Sequence, residues 1–187
     1  MDLKNNYKVL NKQVYNFNEY KIIPVRYKDR YKIMTWRNDQ LYHLRQTEKI
    51  SKENQDLYFK EILIPQKKHE KPDQILFSFF HKSIFVGYGG LVHINWNNSS
   101  AEVSFVMDTQ LEKNFFSEFW EVFLNLLEMV LKDLNILNKI YTYAFDLRPR
   151  IYKVLEKKGF FFEKEETYLK NNKIISVKIH KKYFNGR

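Results

Sequence analysis

Few groups in this chain can do chemistry, and their types narrow what that chemistry is. There is no cysteine, which excludes disulfides, thiolate metal ligands and a Cys nucleophile. His43, His69 and His81 show no ligand spacing with carboxylates, so no metal site is expected. Glu102 and His93 remain as titratable groups within one apolar, β-forming stretch, and imidazole titrates near neutrality. Each has a bland alternative: a strand carboxylate paired with a surface lysine, and a packed histidine. Arg37 and Arg45 stand eight residues apart, and a guanidinium fork suits bidentate phosphate binding. They read equally as phosphate ligands or as ion-pair partners of Asp39 and Glu48. Trp36 can stack on a base or sugar, or pack in the core. Asn95 and Trp96 can line a pocket, or simply end a hairpin.

The elements that must position these groups centre on Ile84 to Met107. The run Ile-Phe-Val-Gly-Tyr-Gly-Gly-Leu-Val-His-Ile-Asn-Trp, the turn Asn97–Ser100 and the run Ala-Glu-Val-Ser-Phe-Val-Met predict two strands of a hairpin. Alternation puts Ala101, Val103, Phe105 and Met107 on one face and Glu102, Ser104 and Val106 on the other. Gly87, Gly89 and Gly90 inside the first strand predict a bulge or a close approach to the backbone. Upstream, Lys21–Tyr27 reads as a strand with Pro24 near a sheet edge. A helix follows from Asp29, its cap, to Asn38, and a second is capped by Ser51 and ended by Pro65. Gln74–His81 is a run of β-formers. Downstream, Phe116, Phe119, Trp120, Phe123, Leu127, Val130 and Leu134 make the apolar stripe of a long helix. Lys139–Phe145 is a strand, a helix begins near Pro149 and stops at Gly159, and Phe160–Leu169 and Lys173–His180 form a last hairpin across Asn171-Asn172.

At 187 residues the chain reads as one domain, 20–187, behind a polar extension or weak first strand, 1–19. Formal charge is +10, which favours an anionic partner, although the lysines are spread along the chain as on any solvated basic surface. No nucleic-acid motif accompanies the charge, so nucleic acid is set aside. No apolar run approaches the ~18 residues of a membrane span, and the N-terminus lacks a signal-peptide core. A cytoplasmic location without membrane contact is expected, and a homodimer stays open.

Three segments together resemble the GNAT acetyltransferases: Val86-Gly-Tyr-Gly-Gly90, Ala101–Met107 ahead of the long helix, and Val154-Leu-Glu-Lys-Lys-Gly-Phe160. The resemblance covers roughly residues 20 to 181. Trp36-Arg37-Asn38 and Leu44-Arg45 are similar to the branch acting on nucleotide-linked amino sugars and to ribosomal-protein N-terminal acetyltransferases. The implied fold is α/β: a mixed, mostly antiparallel sheet of about seven strands flanked by about four helices, splayed between the fourth and fifth strands. The implied activity is acetyl transfer from acetyl-CoA, the co-substrate, to a primary amine of a small anionic or nucleotide-linked acceptor. Alternatives are acetylation of a protein N-terminus, or a degraded GNAT fold kept as a binding module. The resemblance further implies that Phe105, Val106 and Met107 hold the pantetheine arm through their backbone. It puts the pyrophosphate near Lys113, Asn114, Phe115, Phe116 and Ser117 at the helix start, with Arg148 where the family often has asparagine. It makes Glu102 or His93 the base, and Trp36, Arg37, Arg45, Asn95 and Trp96 acceptor-side residues. The family's glycine-rich phosphate loop is missing from Asp108–Ser117. Leu155 stands where a tyrosine often protonates the leaving thiolate, which leaves Tyr152, nearly one turn back, as a weak substitute.

Overall fold

The computed structural model describes residues 5–135 and 137–184; the ends of the two expected segments, 1–4 and 185–187, lie outside them. Eight strands form one sheet: β1 (Tyr15–Phe17), β2 (Tyr20–Pro24), β3 (Ile75–His81), β4 (Ile84–Asn95), β5 (Ser100–Met107), β6 (Lys139–Phe145), β7 (Phe161–Lys170) and β8 (Lys173–Tyr183). Their order is β1-β2-β3-β4-β5-β6-β8-β7. Every neighbouring pair is antiparallel except β5 with β6, which is parallel. β1 is the strand beyond the seven expected. Tyr15 on it donates to Asp133 Oδ2 at 2.6 Å. Tyr7 is buried, and its hydroxyl takes the N–H of Leu76 at 2.8 Å while donating to the Leu76 carbonyl at 3.2 Å.

Two layers of helices cover the sheet. On one face lie α4 (Glu112–Leu134) and α5 (Arg150–Lys157). The alternation read along β5 holds: Ala101, Val103, Phe105 and Met107 pack on this side with Phe119, Phe123 and Leu127. Phe105 stacks on Phe123 with centroids 4.2 Å apart, and burying such a ring contributes about 1.5–3 kcal/mol. α4 begins two residues before Asn114, and Asn135 ends it in the left-handed conformation, φ 50°. On the other face lie α1 (Arg30–Asp39), α2 (Lys52–Leu57) and α3 (Ile64–Gln66), packing Val25, Ile33, Phe59 and Leu63 against Tyr88 and Val106.

Two local expectations need correction, and the glycines of β4 do as expected. Asp29 caps nothing; it is buried, takes both prongs of Arg26 at 2.7 Å and accepts from Ser78 Oγ at 2.7 Å. Ser51 does cap α2, accepting from Asn54 N–H at 3.2 Å, but the helix does not stop before Pro65. A π-helical stretch, Tyr58–Leu63, leads into α3, where Pro65 sits in the first turn and its missing N–H costs no intrahelical bond. The β4 glycines make room for neighbouring strands. A Cβ on Gly89 would lie 2.1 Å from the Ser104 carbonyl oxygen, and one on Gly90 2.0 Å from that of Ile75. The β4 register shifts twice, at Val86 beside Gly87, where Phe79 pairs with Gly87 and Phe80 with Phe85, and between Val92 and Asn95, where His93 has φ 48°.

Candidate active site

Pairing of β5 with β6 is confined to Ser100↔Lys139, Ala101↔Ile140 and Glu102↔Tyr141. Beyond Glu102, β5 continues beside β4 as far as Gly87↔Met107, while β6 continues beside β8 as far as Phe145↔Val177. Each strand keeps its outer partner and loses the inner one, so the sheet opens. The Asp108 N–H donates back to the Val86 carbonyl at 2.8 Å, and the Met107 carbonyl, facing the other way, accepts from Gln40 Nε2 at 2.8 Å. Strand alternation therefore turns the main-chain groups of Val103 and Phe105 toward the gap, as it does those of Met107. A cavity of about 690 Å³ runs through the opening, lined on one side by Arg37, Tyr58 and Tyr88 and on the other by Trp120, Arg148 and Ile151.

Glu102 stands at the apex of the gap, on the α1–α2 side. It is 5% exposed and lines the cavity with Arg45, His93 and Tyr143. Arg45 Nη2 donates to Glu102 Oε1, and its guanidinium lies 4.8 Å from the centre of the Tyr143 ring. His93 Nε2 is 3.9 Å from Glu102 Oε2, placed there by the β4 bulge. Burial pushes the Glu102 carboxyl up to about 7, against the opposing pull of Arg45. His93 is shifted the other way: burial and Arg45 hold its imidazole below the ordinary value. The carboxylate is thus poised to exchange a proton near neutral pH.

The start of α4 uses up its own amides. Gln110 N–H donates to Asp108 Oδ1 at 3.1 Å, and Asn114 and Phe115 N–H both reach the Leu111 carbonyl, at 3.2 and 3.0 Å. Glu112 is buried between Arg148 Nη1 at 3.2 Å and Arg150 Nη2 at 2.7 Å. Arg150 lies 3.9 Å over the Phe116 ring. Two guanidinium groups thus share one carboxylate and leave an excess positive charge where a glycine loop would offer N–H groups.

A family model described as an acetyltransferase (GNAT) domain matches residues 22–176. The chain belongs to the GNAT acetyltransferase family. No curated protein sequence matches it. Among solved structures, spermidine N-acetyltransferase from Vibrio cholerae in complex with CoA and spermine superposes with a TM-score of 0.72 at 19% identity, over 89% of this chain and 96% of that one. Ribosomal-protein-S5-alanine acetyltransferase from Vibrio fischeri gives 0.71 at 16% identity, over 92% and 97%. At these identities the likeness is one of fold. Together with the family match it makes the chain an acyltransferase that uses acetyl-CoA. The structures named here are not of the amino-sugar branch suggested by Trp36-Arg37-Asn38.

The residues present fit a GNAT donor site in part. The open side of β5 offers Val103, Phe105 and Met107 backbone to an extended pantetheine arm. Val106 faces away, into the core beneath α1. With the Asn114 and Phe115 amides already bonded, the cationic groups at this end of the cleft are Arg148, Arg150 and the exposed Lys113; Ser117 is also exposed. Phe116 is buried under the arginines.

Of the other expected residues, Arg37, Arg45 and His93 join Glu102 at the cavity. Arg37 pairs with neither Asp39 nor Glu48: its Nη1 donates to Tyr88 Oη at 2.8 Å and its Nε to Gln46 Oε1 at 3.0 Å. Trp36 is buried in the core, 4.8 Å from the Phe85 ring. Asn95 and Trp96 end the hairpin, with Asn95 Oδ1 taking the Asn98 N–H at 2.9 Å and Trp96 Nε1 donating to the Pro72 carbonyl at 2.9 Å. Tyr152 turns from the cavity: it donates to Asp146 Oδ1 at 2.8 Å and stacks on His180. Sequence reasoning missed Gln40, His43 and Lys170. Lys170 Nζ donates to the carbonyls of Leu41 and Leu44, tying the β7 end to the loop that carries Arg45. Buried His43, pushed down to about 3 by burial and then Arg148, stays neutral and donates to Gln40 Oε1 at 3.1 Å. Met107, Arg148 and Lys170 lie far along the chain from the Gln40–Leu44 segment they meet, and no local pattern announces these contacts.

Proposed function

We propose that this GNAT enzyme acetylates the primary amine of a small acceptor that also carries an anionic group, nucleotide-linked amino sugars being the class that fits best. The observation that carries this reading is the charge of the cavity wall. Arg37, Arg45 and Arg148 line it, against Glu102 and Asp73, and Glu102 ionises only near pH 7. A polycation such as the spermine of the V. cholerae complex would meet the guanidinium groups of Arg37 and Arg45 on entering; an acceptor with phosphate or carboxylate would meet matching charge. Glu102 accepts the proton of the incoming ammonium, Arg45 orients the carboxylate, and a β5 amide facing the gap donates to the oxygen of the reacting carbonyl. The gap itself holds the two reactants in line.

The test is thiol release from acetyl-CoA over nucleotide-linked amino sugars, free amino sugars, polyamines and peptides with N-terminal alanine. Turnover is expected with the anionic acceptors, and Arg37→Ala should raise KM for those alone. Turnover confined to polyamines would overturn the assignment of acceptor.

A further inference from the structure

Leu155, fully buried, occupies the position from which this family's tyrosine would reach the leaving sulfur, and Tyr152 is committed to Asp146. A different hydroxyl stands at the apex of the gap. Thr142 follows Tyr141, the last β6 residue paired to β5, and its neighbours place it on the opposite face of the sheet from Glu102. Ile140, which shares its face, packs with α4 and α5, whereas Tyr143, on the other face, lies under Arg45. Thr142 is 4% exposed and lines the cavity with Trp120 and Ile151. Its Oγ1 has no hydrogen-bond partner; among the buried side-chain nitrogen and oxygen atoms of the described residues only His180 Nδ1 shares this. The two residues are register partners across β6 and β8. His180 is held back by its own contacts, stacked on Tyr152 at 5.0 Å and edge-on to Phe162 at 5.6 Å, so the hydroxyl finds nothing on its own sheet. A buried donor left unpaired is costly, and such an atom in a cavity wall calls for a ligand atom.

We propose that the Thr142 hydroxyl is a catalytic group of this enzyme, donating its hydrogen bond to the sulfur of the acyl thioester as the C–S bond breaks. The inference rests on the acetyl-transfer reading of the site. The amine arrives from the Glu102 side and the sulfur departs toward the α4–α5 side, so one base and one donor flank the same point of the gap. The bond balance is simple. The amine, its ammonium proton already passed to Glu102, forms the new C–N bond and sheds its second surplus proton to water. The C–S electron pair stays on sulfur as thiolate, which Thr142 stabilises without giving up its own proton; solvent protonates the thiolate on release.

Removing a hydrogen bond to a charged atom should lower kcat by roughly ten- to a hundredfold in Thr142→Val, with KM for acetyl-CoA little changed. Thr142→Ser, which keeps the hydroxyl, should stay within about threefold of the native kcat. A second readout needs no turnover and no acceptor. Calorimetry on the native chain should show CoA preferred over desulfo-CoA increasingly as pH rises. Ultraviolet titration of bound CoA should place its thiol pKa lower in the native chain than in Thr142→Val. Desulfo-CoA should bind both equally. A native kcat in Thr142→Val, an equal loss in Thr142→Ser, or a bound thiol pKa indifferent to the substitution each overturns the proposal. If the native chain binds CoA but acetylates no amine offered, the acceptor reading fails alone, and the thiol titration still decides Thr142.

Discussion

Replacing Arg45 with Ala tests the electrostatics of the site directly. Glu102 carries two opposed influences: burial raises its pKa, and the Arg45 guanidinium, in contact with Oε1, lowers it, with a net value of about 7. His93, Tyr141 and Tyr143 are the other titratable neighbours, from β4 and β6. None replaces the lost charge: burial and Arg45 hold His93 below its ordinary pKa, and burial chiefly raises both tyrosines above theirs. A charge-assisted hydrogen bond contributes about 1.5–3 kcal/mol, and roughly 1.4 kcal/mol corresponds to one pH unit. The Arg45 side chain is 38% exposed, so solvent screening takes the lower end, about one pH unit. A base acts only when deprotonated, so kcat/KM falls as pH drops through the carboxyl pKa. Losing Arg45 raises that pKa, and the acidic limb should move from near 7 to about 8. Following thioester loss by ultraviolet absorbance across pH, with any anionic acceptor that turns over, measures the limb. A limb that stays put or moves to lower pH refutes the reasoning.

Other outcomes follow from the same geometry. Glu102→Gln should cut kcat by about a hundredfold or more and abolish the acidic limb, leaving CoA affinity intact by calorimetry. It should also stabilise the fold in base. The folded chain holds this proton more tightly than the unfolded one, about 7 against 4.5, so stability falls as pH rises through that window. The substitution should recover about 3 kcal/mol at pH 8 in urea titrations, and nothing below pH 4. Gly89→Ala would drive a methyl against the Ser104 carbonyl and should cost at least about 3 kcal/mol by the same measurement. Lys170→Met removes the donor to Leu41 and Leu44; it should raise KM for the acceptor severalfold while KM for acetyl-CoA holds, because the released loop carries Arg45 and not the β5 backbone.

Local periodicity carried the elements well. The α4 stripe, the β5 alternation and the Ser51 cap are contests between near neighbours in sequence, decided by burial and backbone stereochemistry, and each is found as read. Asp29 went differently because its partner, Ser78, comes from another element; the β4 glycines signalled a close approach, but not that Ser104 and Ile75 make it. The docking of Tyr7 on Leu76 is of the same kind.

The sequence by itself determined which residue types were available, the alternation that sets Glu102 apart from Phe105, and the family motifs around Gly89 and Gly159. Only the tertiary structure decided that β5 and β6 part after Glu102, because that depends on each strand keeping a different outer partner. It also decided that Arg45 meets Glu102 across 57 positions, that amides at the start of α4 bond to their own turn, and that a buried threonine hydroxyl in the cavity wall goes unpaired. These are matters of long-range packing and desolvation, which set the energy of a charge or an orphaned donor and leave no trace in spacing along the chain.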